Sequence, residues 1–115
     1  MAGETLERGD IIRLPNGHHS YDDKSKPLDL MICEPPQDSG MSLMFVSGWD
    51  AGVTLAYLPK ESRGLQFRNS IDVSWLIENW SDWFAYEGSA EKLERITLEG
   101  VLVMRRQEYR IDAAT

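Results

Sequence analysis

Short apolar runs punctuated by glycine and proline fill the first two thirds of the chain, and then the hydrophobic period changes. Residues 11–14 (IIRL) are strand-like and close on Pro15-Asn16-Gly17, a turn signal because Asn and Gly both tolerate positive φ. Residues 28–34 (LDLMICE) predict a second strand, broken by Pro35-Pro36, since two prolines cannot continue a ladder. The stretch MSLMFVSGWDAGVTLAYLP predicts a hairpin with arms over 42–47 and 53–58. GWDAG is its connection, with Gly48 and Gly52 supplying backbone freedom at either end. A further short strand is expected around 65–67.

From Val73 onward the spacing lengthens. Val73, Leu76, Ile77, Trp80, Trp83 and Phe84 recur at intervals of three and four, the signature of an amphipathic helix over 73–84. Ser74, Glu78, Ser81 and Asp82 fall on its other side, and Asp72 is placed to cap its first amides. Trp80 and Trp83 belong to the apolar face, with Trp75 toward its edge, so WLIENWSDWF reads as the spine of a core. EGSAEKLER is polar, and ITLEGVLVMRRQEYRI reads as a strand pair or one bent strand broken at Gly100. The pattern predicts an α+β fold: a small, strongly bent antiparallel sheet, or an SH3-like partial barrel, with one amphipathic helix packed on it. One domain spanning residues 1–115 is expected at this length.

Composition narrows the function classes. Apolar and charged fractions of 42% and 27% are ordinary for a globular protein. No apolar run approaches the ~18 residues of a membrane span, and the acidic N-terminus lacks the apolar core of a signal peptide. A cytoplasmic location with no membrane contact is therefore expected. The net charge of −7 repels phosphate backbones, which argues against nucleic-acid binding and favours a basic partner.

Catalytic constellations are scarce. Cys33 lies among strand-type residues, where a buried small hydrophobe is the ordinary role, and adjacent Glu34 disfavours a thiolate. His18 and His19 are neighbours in a polar loop and point apart on an extended backbone, a poor chelate. Among Asp22, Asp23, Glu34, Asp38, Asp50, Glu78, Asp82, Glu87 and Glu91, no spacing selects an acid/base pair. GWDAG shares only its glycines with a nucleophile elbow. The expectation is a protein without enzymatic activity, cofactor or metal. The sharpest local feature is Trp49-Asp50 at the hairpin tip, where an indole either packs back over the sheet or meets a partner.

Taken in order, GDIIRLPNG, SGWDAG, LPKES and SIDVSWLIENW resemble an immunity-protein family of bacterial polymorphic toxin systems, over about residues 9–84. The resemblance implies a protein encoded beside a toxin that binds it in the cytoplasm and blocks it. The partner would be a toxin domain, expected to be basic where the toxin attacks nucleic acid. The resemblance carries over no contact residue. From the loop positions alone, Trp49 and Asp50, with Asp22, Asp23 and Asp38, are the expected interface. RGDIIRLPNG by itself also resembles the first strand of SH3-like barrels. An adaptor module without a toxin partner, or a small enzyme using its carboxylates, are the competing readings.

Overall fold

The computed structural model describes residues 4–14, 27–34, 39–64, 69–89, 92–95 and 100–106. In chain order these form β1 (Thr5–Glu7), β2 (Ile11–Leu14), β3 (Leu28–Cys33), β4 (Ser42–Phe45) and β5 (Thr54–Tyr57). A 3₁₀ turn (Lys60–Ser62) leads on to β6 (Ser70–Asp72), α1 (Val73–Trp83), β7 (Ala85–Ser89), β8 (Lys92–Arg95) and β9 (Leu102–Met104). The main sheet has the order β5-β4-β3-β2-β9 with every neighbouring pair antiparallel. Two smaller ladders, β1-β6 and β7-β8, complete the strands. The architecture is α+β, a small antiparallel sheet with one packed helix among the described residues, as the apolar pattern predicts.

Alternation along each strand decides which face is buried. Ile12, Leu14, Leu28, Leu30, Ile32, Leu43 and Phe45 all enter one core. Leu6 and Ile71, directly opposite each other in β1 and β6, join it. Leu76 and Trp80 of the helix, with Phe84 at its C-cap, close it. Successive residues Ile11 and Ile12 are both buried and must point to opposite faces, yet only Ile12 belongs to that core. Across the second face the register lines up Met104, Ile11, Met31, Met44 and Thr54, a row in which the three methionines are half-buried.

The helix starts without a connecting loop. Asp72 ends β6 and caps α1, its carboxylate accepting from the Ser74 N–H at 3.1 Å. The Val73 N–H donates to the Glu4 carbonyl at 3.0 Å, so the β1-β6 ladder runs into the first helical turn. This junction aims the buried row of the helix at the sheet. Trp80 stacks on Phe84 with ring centroids 3.7 Å apart and planes 9° from parallel. Trp75 and Trp83 flank that row, half-buried, with centroids 6.3 Å apart and tilted.

Several expectations are corrected. Ile77 is 54% exposed, because at about 100° per residue it lies on the flank of the row through Leu76, Trp80 and Phe84. Trp83 is half-buried where a core position was expected. EGSAEKLER, read as merely polar, contributes to the β7-β8 hairpin. Of the C-terminal apolar stretch, residues 100–106 are described, and there β9 crosses to the edge of β2. The strand expected around 65–67 lies outside the described residues, and the strand that delivers the helix is β6. The three-residue β1 was not anticipated, being too short to show a period.

Replacing Trp80 by Ala should cost ~3–5 kcal/mol of stability in denaturant unfolding, the range for a large buried aromatic. Ile77→Ser, which removes an exposed side chain, should stay within about 1 kcal/mol of the parent.

Candidate functional site

The hairpin tip is built by the sequence between β4 and β5. Pairing runs past the strand ends, with the Phe45 N–H donating to the Val53 carbonyl at 2.9 Å and the Gly52 N–H to the Phe45 carbonyl at 2.7 Å. Inside the tip, the Val53 N–H donates to the Asp50 carbonyl and the Ala51 N–H to the Gly48 carbonyl. Gly48 and Gly52 adopt φ of +79° and +94°, a region that L side chains rarely enter. A Cβ on Gly52 would meet no atom within 4 Å, so backbone conformation is what demands glycine there.

Asp29 ties the base of the tip to the sheet. Its carboxylate takes two charge-assisted bonds from Arg13, Nε to Oδ1 at 2.7 Å and Nη2 to Oδ2 at 2.9 Å. Its main chain accepts from the Val46 N–H at 3.0 Å and donates to Ser47 Oγ at 2.9 Å. The side chain of Asp29 is 5% exposed, so removing Arg13 would strand a buried charge.

On this base Trp49 stands 73% exposed, with Asp50 beside it. Of the two readings open from sequence, packing back over the sheet does not describe an indole that wet. Val53 and Tyr57, 51% and 56% exposed, extend the apolar surface along the same hairpin. The structure thus brings Trp49 and Asp50 together on one tip. Asp22, Asp23 and Asp38 lie outside the described residues, as do His18 and His19.

A second surface was missed by sequence reasoning. A groove of about 190 Å³ runs between α1 and β9, lined by Leu6, Ile12, Val73, Leu76, Trp80 and Val101. Ile77 from the helix and Val103 from β9 also line it, 54% and 48% exposed, and Glu4 contributes its one carboxylate. Only the wrapping of β9 onto β2, a pairing of distant segments, creates the groove. The signal that could have pointed to it is the helix composition. VSWLIENWSDW holds no cation, and its acids, Glu78 and Asp82, are exposed and four residues apart toward the C-terminal end. Such a like-charge pair destabilises a helix by ~0.2–0.5 kcal/mol and sits at the wrong end of the macrodipole.

Cys33 is half-buried in β3, its Sγ 3.7 Å from the Met31 carbonyl. Burial pushes its thiol pKa up, so the reactive thiolate is depleted at neutral pH. Among the described residues no three His, Cys, Asp or Glu side chains are grouped to hold a metal ion. Nor, among them, is any helix long and apolar enough to cross a membrane.

Two outcomes follow for this region. Gly52→Ala should cost ~1–2 kcal/mol in denaturant unfolding, from left-handed backbone strain alone. Alkylation of Cys33 by iodoacetamide should lag behind that of a cysteine peptide at pH 8 and gain on it as pH rises, because its thiolate forms at higher pH.

The family model described as Immunity protein 45 matches residues 1–94. The match takes in the β4-β5 hairpin, its tip and α1, and ends within β8, before β9. No curated protein and no solved structure matches the chain.

Proposed function

The chain belongs to the Immunity protein 45 family, and from that premise we propose that it neutralises a cognate bacterial toxin by direct binding in the cytoplasm. It acts as a binder without catalysis of its own, within a polymorphic toxin system. Trp49 is the observation that carries the reading: a large indole, 73% exposed, on a tip held by an ion pair and a closed hydrogen-bond ladder. A rigid aromatic loses little conformational freedom on docking, which is why Trp is over-represented among interface anchors.

Electrostatics supports a basic partner. With a net charge of −7, the chain would speed its encounter with a positively charged surface, such as the substrate cleft of a nucleic-acid-targeting toxin. Asp50 orients the partner around the indole, and Asp22, Asp23 and Asp38 complete the acidic contact surface in this reading. The toxin is inhibited because acidic side chains occupy the place of phosphate.

A Trp49→Ala, Asp50→Ala double variant that keeps its far-ultraviolet circular dichroism should bind the toxin encoded beside it at least ~30-fold more weakly, the loss of one hot spot of about 2 kcal/mol. It should also fail to rescue growth of cells expressing that toxin. Undiminished binding would end the assignment of the tip.

A further inference from the structure

We infer that the groove between α1 and β9 is a second docking point, taking an extended segment of the toxin that carries an apolar side chain next to a lysine or arginine. The inference rests on the toxin-binding reading and adds a site remote from Trp49.

Three independent features converge there. First, the groove is apolar and open, and its two walls end in side chains that water alone does not explain. Ile77 and Val103 are 54% and 48% exposed on opposite rims of one slot, and Leu102 beside Val103 is 57% exposed. An apolar side chain laid between the two rims would bury both, together with parts of Leu76, Trp80 and Val101 beneath.

Second, β9 is the outermost strand of the main sheet among the described residues, bonded to β2 and to no other strand. Its register against β2 is regular across Leu102, Val103 and Met104. The opposite edge is different: between β4 and β5 the register shifts at Leu43/Met44, placing an unmatched Leu55 in the edge strand. Bulges discourage strand addition, whereas a regular edge accepts it. An added strand gains main-chain hydrogen bonds, and its alternate side chains enter whatever pocket the sheet face offers. Val103 shares a face with Ile12, so the pocket on offer here is the groove itself.

Third, acidic side chains flank the groove. Glu4 borders the groove with its side chain 57% exposed. On the helix, Ser74, Ile77 and Ser81 form an exposed line of small and apolar side chains, and Glu78 and Asp82 stand beyond it. No helix cation offsets those acids. Arg105 and Arg106 follow β9: the Arg105 guanidinium is turned to the buried Asp10, whereas Arg106 reaches Asp10 only through its main chain and its guanidinium donates to the Arg8 carbonyl. Arg105 Nη1 donates to Asp10 Oδ2 at 2.9 Å and the Arg106 N–H to Asp10 Oδ1 at 3.0 Å, with Glu4 3.8 Å from Arg105. A segment with an apolar anchor in the slot and a cation beside it would find carboxylates on either side.

The test uses the full chain and an inactivated form of the toxin domain encoded beside it. Toxin binding should shift the methyl resonances of Ile77 and Val103. Ile77→Lys and Val103→Glu should each weaken binding by at least about tenfold, Ile77 being exposed enough that its variant keeps the fold. Glu78→Lys should slow association at low salt, an effect that fades as salt rises, while leaving the thermal midpoint no lower than the parent's, because it relieves the repulsion with Asp82. The inference fails if folded Ile77→Lys binds within about twofold of the parent, a difference of roughly 0.4 kcal/mol. It also fails if the Ile77 and Val103 resonances move with protein concentration alone and Ile77→Lys removes a dimer, which would make the groove a self-interface. If the Trp49→Ala, Asp50→Ala variant loses binding while Ile77→Lys does not, the groove falls and the neutralisation reading stands. Absence of binding by the parent chain would overturn both.

Discussion

Burial of Leu76, Trp80 and Phe84 beneath the sheet is the interaction on which the rest of this structure depends. The row is short, and its two aromatic rings stack at 3.7 Å, so the helix has one way to seat. Asp72 makes that seating a consequence of strand pairing. It is the last residue of β6 and the cap of α1, and the Val73 N–H is still bonded to β1. A helix launched from a ladder in this manner has the direction of its axis constrained by the strand pairing. Once seated, it defines which flank is left over, and the leftover flank is where Ile77 stands.

Two buried carboxylates then hold the edges of the main sheet. Asp29 receives Arg13 and, through its main chain, Val46 and Ser47, so the hairpin tip is fastened to the sheet's centre. Asp10 receives the Glu7 N–H, the Arg105 guanidinium and the Arg106 N–H, so the far edge is fastened to the N-terminal strands. A buried carboxylate left without such donors would be strongly destabilising, which is why each is fully surrounded. The consequence for function is positional. Trp49 stands on the hairpin at one edge of the five-stranded sheet, and the α1–β9 groove borders the strand at the other.

The molecule so described is a rigid presenter of surface. Its only α-helix among the described residues serves the core with one face and offers acids on the other. Its one cysteine is held toward the thiol form by burial. What it offers outward is an indole, two apolar rims and an excess of negative charge, the features that a tight and fast-forming protein complex uses. Membership of an immunity-protein family and this surface point the same way.

Local sequence determined most of the elements. The strand over Ile11–Leu14 and the hairpin around GWDAG announce themselves through period and turn residues. The helix from Val73 with Asp72 as cap does so too, because those preferences act over a few neighbouring residues. The place of Trp49 on the hairpin tip was legible for the same reason, whereas whether its indole packs back or stands in water was decided by the tertiary structure. Tertiary structure alone decided the rest. A three-residue strand such as β1 carries no period of its own, and for the strand expected after Gly100 only the fold named β2 as partner. Whether the exposed Ile77 borders a groove or open water depended on where β9 came to lie, and β9 pairs with β2 some ninety residues away in sequence. The groove is a property of that distant pairing, so no window of sequence contains it.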